Sequence, residues 1–121
     1  MTNILLVDDD QTNANLLKLL LELDGFKVSI SPNLEHARRT ITNETKGFII
    51  DCNLSRGDNG IDLLKEIRAG HTEAAQNSPV IITSGDDRRS QEAEISGATA
   101  FLLKPYSPNK LSEELRNLTG S

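Results

Sequence analysis

The chain has 121 residues, enough for one domain with a real core, and 36% of them are hydrophobic, gathered in short runs. Its formal net charge of -5 argues against nucleic acid as a direct partner, and its single cysteine excludes an internal disulfide framework and fits a reducing cytoplasm. No apolar stretch approaches the length that spans a bilayer, and no basic or apolar leader precedes the first apolar run, so the expectation is a cytoplasmic protein without a membrane partner.

Residues 4–7 (ILLV) are uninterrupted apolar positions and read as a fully buried strand. Asp10 or Thr12 can cap the helix that follows. In it Leu16, Leu17, Leu19, Leu20, Leu21 and Leu23 supply a broad apolar face for the core, and Gly25 stops it. Residues 27–30 read as a short second strand. Ser31-Pro32 has the form of an N-cap with proline at the first helical position, opening a more polar helix marked by Leu34, Ala37 and Ile41. Residues 47–50 read as the third strand. Ile61, Leu63, Leu64 and Ile67 mark a third helix that closes near Gly70. Residues 71–78 are polar and read as a loop, the one candidate flexible segment. Residues 79–82 read as the fourth strand. A fourth helix, about residues 88–96, carries few apolar residues and ends at Gly97. Residues 100–103 read as the fifth strand, and Ser107-Pro108 opens a last helix with Leu111, Leu115 and Leu118.

Five strand–helix repeats with short connections imply an α/β fold: a doubly wound parallel sheet with helices on both faces, as one domain over residues 1–121. Four of the apolar runs end in residues that phosphate chemistry uses. The first runs into Asp8-Asp9-Asp10, the third into Asp51, the fourth into Thr83-Ser84 and the fifth into Lys104-Pro105. Parallel strands present their carboxyl ends along one edge, where ligands bind. Carboxylates, a hydroxyl and an ammonium therefore converge from positions far apart in the chain.

In this order the residues resemble the receiver domain of two-component response regulators, across the whole chain. The acidic pair is Asp8-Asp9, the phosphoacceptor aspartate Asp51, the Thr or Ser after the fourth strand Thr83 with the small Ser84 next, the Lys-Pro pair Lys104-Pro105, and the glycine opening the third helix Gly60. The resemblance implies a five-stranded flavodoxin-like sheet of order 2-1-3-4-5 with five helices, which makes Asp8, Asp9 and Asp51 neighbours. It also implies the backbone carbonyl of Asn53 as a further metal ligand, and a switch involving Thr83 and Phe101.

The chemistry of each role follows from residue type. Carboxylates held within a few Å stay ionised only if a cation compensates them, and hard oxygen ligands with room for waters suit Mg2+. Asp51 can be a nucleophile that forms an aspartyl-phosphate. Lys104 supplies a point charge for one phosphoryl oxygen and Thr83 a hydroxyl donor for another. The partners implied are a histidine kinase or phosphotransfer protein as donor, a downstream effector protein or domain, and a phosphorylation-dependent homodimer. The chain is expected to be a phosphoacceptor, not an enzyme, although it assists its own phosphotransfer and dephosphorylation. Two departures from the family pattern stand out. Ser55 occupies the place of a usual proline in a loop one residue longer than the commonest form, which predicts a less rigid loop. Phe101 stands where Tyr or His is common, and cannot donate a hydrogen bond.

Each signal alone has a plainer meaning: helix caps for Asp8–Asp10, a turn for Asp51, a solvated turn for Lys104-Pro105. Cys52 reads as a packed small side chain, and His36 and His71 as solvated. A rival reading comes from Asp8-Asp9-Asp10-Gln11-Thr12, which matches the DxDxT signature of haloacid-dehalogenase-like phosphatases. There Asp8 is the nucleophile and Asp10 the acid/base, with Thr83 and Lys104 as the later motifs. It leaves Asp51 idle, offers only Glu113-Glu114 as the further acidic pair, and leaves no length for a cap. A degenerate receiver that binds a partner without phosphorylation is the third class.

Overall fold

Strands form where the apolar runs lie. In a computed structural model, which describes residues 1–120 apart from the Arg56 side chain, they are β1 (Thr2–Val7), β2 (Phe26–Ser31), β3 (Gly47–Asp51), β4 (Val80–Ser84) and β5 (Ala100–Leu103). Ser121, the last residue of the expected domain, lies outside the described residues. The helices are α1 (Gln11–Leu23), α2 (Leu34–Thr40), α3 (Gly60–Arg68), α4 (Ser90–Ile95) and α5 (Pro108–Thr119). All four strand pairs are parallel and the order is β2-β1-β3-β4-β5, as the resemblance implied.

The two-residue period of the strands divides the core into two layers. Ile4, Leu6, Ile49, Ile81 and Leu102 pack with Ala14, Leu17 and Leu21 of α1 and Leu111 and Leu115 of α5. Leu5, Val7, Phe48, Ile50, Val80 and Ile82 pack with residues of α2, α3 and α4, among them Leu34, Ile61, Leu64, Ile67 and Ala93. Burial of each large side chain contributes about 1.5–3 kcal/mol. The same period carries on past the strand ends. Asp8, Asp51, Thr83 and Lys104 each follow by two residues a member of the α1–α5 layer (Leu6, Ile49, Ile81, Leu102). Alternation therefore places all four on that side of the sheet, at its carboxyl edge.

Several expectations hold at the helix ends. Asp10 caps α1 by accepting from the Asn13 N–H at 3.1 Å, and Ser107 caps α5 with Pro108 at its start. Four are corrected. Ser31 does not cap α2: it ends β2, where its carbonyl accepts the Asp8 N–H at 3.1 Å, and Asn33 is the cap. The leucines of α1 do not all enter the core. A helix turns only one face to the sheet, and Leu16, Leu19 and Leu23 are 52%, 58% and 75% exposed. The fourth helix is shorter than expected, because Asp86 caps Arg88 and folds Asp87–Arg89 into a 3-10 turn before α4 begins at Ser90. His36 is half-buried, with its Nδ1 2.8 Å from Ser31 Oγ, whereas His71 is exposed.

The polar segment 71–78 is a loop, but a tethered one. Arg68 donates to the carbonyls of Gln76 at 2.7 Å, Ser78 at 2.8 Å and Gly97 at 2.8 Å, and Ala74 and Ser78 are buried. Cys52 is fully buried, and burial pushes its thiol up, as suits a packing residue.

Candidate functional site

One oxygen from each of Asp8, Asp9 and Asp51 lies within 4.8 Å of the others. The β1–β3 pairing brings them together, with Val7 opposite Ile50. Asp8 and Asp51 are buried at 3% and 6% exposure, whereas Asp9 is exposed. Each buried carboxylate is held on both oxygens. Asp8 accepts from the Asp10 N–H at 2.9 Å and from Asn13 Nδ2 at 3.1 Å. Asp51 accepts from the Asn53 N–H at 3.1 Å and from Lys104 Nζ at 2.8 Å. Asp9 accepts from the Ser55 hydroxyl.

Burial dominates the titration of Asp51 and raises its carboxyl above the ordinary range, against the hydrogen bond and charge of Lys104. For Lys104 burial opposes the charge, but the hydrogen bond to Asp51 and the charges of Asp51, Asp8 and Asp10 outweigh it and hold the ammonium above its usual value. The Tyr106 hydroxyl is pushed up to about 12, first by burial and then by the charges of Asp8 and Asp51.

The donor set fits a hard divalent cation: three convergent carboxylates, one of them open to solvent. The expected fourth ligand is compatible with the backbone. Residues 53 and 59 form an antiparallel bridge whose hydrogen bonds are Gly60 N–H to Cys52 O at 2.9 Å and Leu54 N–H to Asp58 O at 3.1 Å. The bridge thus flanks the Asn53 carbonyl without using it. Thr83 is buried and pairs with Asp51 across β3 and β4, and its own carbonyl accepts the Cys52 N–H at 2.8 Å. The five expected site residues therefore meet at one edge.

The receiver-domain model of response regulators matches residues 4–116, nearly the whole chain. The chain belongs to the response regulator receiver family. Among its relatives is the transcriptional regulatory protein CpxR of Escherichia coli (strain K12), 32% identical over 96% of this chain. The sensory/regulatory protein RpfC of Xanthomonas campestris pv. campestris (strain 8004) is also 32% identical, over 98% of this chain. The chain spans 48% of the first and 16% of the second. The receiver domain of the Francisella response regulator 1452 superposes with a TM-score of 0.88 at 28% identity, covering 99% of this chain and 98% of that one.

Three features of this receiver domain bear on the sequence expectations. The β3–α3 loop, where the loss of proline predicted less rigidity, carries a bridge between Asn53 and Asn59 and the Ser55–Asp9 hydrogen bond. Phe101 is partly buried already, against the layer that holds α3 and α4, and it pairs with Ile82, one residue before Thr83. Strand alternation sets Thr83 and Phe101 on opposite sheet faces, so the two side chains do not share a layer. The acidic pair needed for a phosphatase is absent from the site: Glu113 and Glu114 lie on α5, where Glu114 meets Lys110 at 3.6 Å. Asn13, Ser55 and Tyr106 were missed by sequence reasoning. Asn13 had a usable signal, since a first-turn residue three positions after the cap faces back toward the strand end.

Among the described residues no helix is long and apolar enough to cross a membrane.

Proposed function

We propose that this receiver takes a phosphoryl group onto Asp51 from a histidine kinase or phosphotransfer protein in the cytoplasm, and that the phosphorylated form changes a surface read by an effector. The observation that carries this is the setting of Asp51: buried, gripped by Lys104 Nζ at 2.8 Å and the Asn53 N–H at 3.1 Å, and flanked by two further carboxylates. Asp8, Asp9, Asp51 and the Asn53 carbonyl would hold Mg2+. Bound there, the cation neutralises the acidic cluster and the charge on the incoming phosphoryl oxygens.

An Asp51 oxygen attacks the phosphorus of a phosphohistidine. The O–P bond forms as the N–P bond breaks, and the electron pair leaves with the imidazole. Lys104 follows the phosphoryl group with its ammonium and the Thr83 hydroxyl donates to another oxygen. The donor must cover the rim of the site. A cavity lined by Asp10, Asn13, Leu16, Lys104 and Pro105 joins that rim to the exposed leucines of α1, which suit an apolar helical partner. The chain turns over no substrate in this reading. It is an acceptor that assists the chemistry on its own side chain.

The effector face is the one formed by α4, β5 and α5. Ile95 on α4 and Leu103 on β5 are exposed there, and α4 buries only Ala93 among its residues, so little packing resists its movement. The same apolar side chains suit a phosphorylation-dependent homodimer. Contact with nucleic acid, as the name of a transcriptional regulatory relative suggests, would be made by residues other than these, given a net charge of -5.

The test is acetyl phosphate with Mg2+. The chain should gain one phosphoryl group that hydroxylamine removes, and Asp51→Asn should gain none. Label retained in Asp51→Asn and lost in Asp8→Asn would instead support a nucleophilic Asp8.

A further inference from the structure

We infer that Ser55 is a positioning residue for the metal: its hydroxyl fixes the Asp9 carboxylate in the orientation that receives Mg2+. This rests on the reading of Asp8, Asp9 and Asp51 as cation ligands.

Of the three carboxylates, Asp8 and Asp51 are buried and each is gripped on both oxygens by two donors. Asp9 is exposed and its donor is Ser55, whose hydroxyl bonds Oδ2. An exposed carboxylate beside two others is repelled from them and has solvent to turn into. Yet with the Ser55 bond made, an Asp9 oxygen remains within 4.8 Å of the Asp8 and Asp51 oxygens. A hydrogen bond from a neighbouring side chain is the usual outer support of a ligating carboxylate.

Ser55 is itself fixed. It begins a 3-10 turn, Ser55–Gly57, closed by the Asp58 N–H to the Ser55 carbonyl at 3.3 Å. The bridge between Asn53 and Asn59 clamps the base of the loop. A proline in this place has no hydroxyl and could not hold Asp9 in this way. The serine in this place therefore aims a donor at the acidic pair.

The experiment is a Mg2+ titration of the unphosphorylated chain, followed by the amide shifts of Asp8, Asp9, Asp51 and Asn53. Ser55→Ala should weaken Mg2+ binding about tenfold, the low end for loss of an outer-shell partner. Ser55→Thr, which keeps the hydroxyl, should stay within about twofold of the unmodified chain. Phosphorylation of Ser55→Ala should recover at saturating Mg2+. In an Asp9→Ala background, Ser55→Ala should add nothing, because the carboxylate it acts through is gone. Unchanged or tighter binding in Ser55→Ala overturns the assignment, and so does an equal loss in the Asp9→Ala background. A chain that binds no Mg2+ with Ser55 in place overturns the metal reading together with this one.

Discussion

Gly60 opens α3 directly beneath the phosphoacceptor, and a single added methyl group there should weaken the fold and disturb the site. A Cβ at Gly60 would sit 2.1 Å from the Asp51 carbonyl oxygen, 2.6 Å from Ile50 Cγ2 and 3.0 Å from the Asp51 carbonyl carbon. Ordinary carbon–oxygen contact needs more than 3 Å, so backbone must separate from backbone by about 1 Å, and β3 cannot yield without disturbing its pairing on both sides. Overpacking of this kind costs about 1–3 kcal/mol. Moving the start of α3 also strains the Gly60 N–H bond to Cys52 O at 2.9 Å, worth about 1 kcal/mol. Gly60→Ala should therefore lose about 3 kcal/mol, a large share of the 5–15 kcal/mol of an ordinary domain. With a urea dependence of about 1–3 kcal/mol/M, the unfolding midpoint falls by about 1–3 M. Gly85→Ala is the control: it follows β4, has nothing within 4 Å of the added methyl group, and should shift the midpoint little in either direction. Urea melts of both variants with Mg2+ titration of each would decide the matter. Equal midpoints in Gly60→Ala and Gly85→Ala, with an unaltered Mg2+ response, would refute the argument.

Three further outcomes are expected. Lys104→Met should leave the buried Asp51 carboxylate without its cation. Since Lys104 is partly exposed, the loss should be about 1–2 kcal/mol, read from the urea midpoint, with Asp51 titrating still higher by carbon-13 shift. Because burial raises the Asp51 carboxyl, the folded chain holds that proton more tightly than the unfolded chain does. Its contribution to stability therefore grows as pH falls through the raised value and is absent at neutral pH, and Asp51→Asn should abolish that part of the pH profile of unfolding. Acetyl-phosphate labelling, which needs the ionised carboxylate, should decline over the same window; identical pH profiles of stability in the two chains would contradict the assignment. Phe101→Ala should cost about 2 kcal/mol, less than a fully buried ring, and leave Asp51 phosphorylation intact. With a beryllofluoride phosphate mimic, its amide shifts should stop near Thr83, whereas those of the unmodified chain spread into Ser90–Ile95.

Where the sequence reading succeeded, chain-local causes sufficed. The β5 run and the Ser107-Pro108 opening of α5 match the structure because an apolar run and a cap are read over a few residues. Asp8, Asp9, Asp51, Thr83 and Lys104 were legible because parallel strands deliver their ends to one edge whatever the packing details. Where it failed, the deciding contact lay elsewhere in the chain. Ser31-Pro32 has the form of a cap, but the Asp8 N–H draws Ser31 into the sheet and leaves the cap to Asn33. Six leucines on α1 look like core, but which of them enter it depends on the angle of the helix on the sheet. Ser55 stood out as a departure from proline, but its contact with Asp9 was not legible because it depends on the path of a loop whose bridge joins residues 53 and 59.

The shared side on which Asp8, Asp51, Thr83 and Lys104 leave the sheet has a consequence for errors in folding. A strand that paired one residue out of step would turn its apolar side chains to the wrong layer and would also swing its functional residue through the sheet. The two faults cannot be separated, because one alternation governs both. A chain mispaired in this way would lose its apolar packing and the meeting of Asp8, Asp51 and Lys104 together.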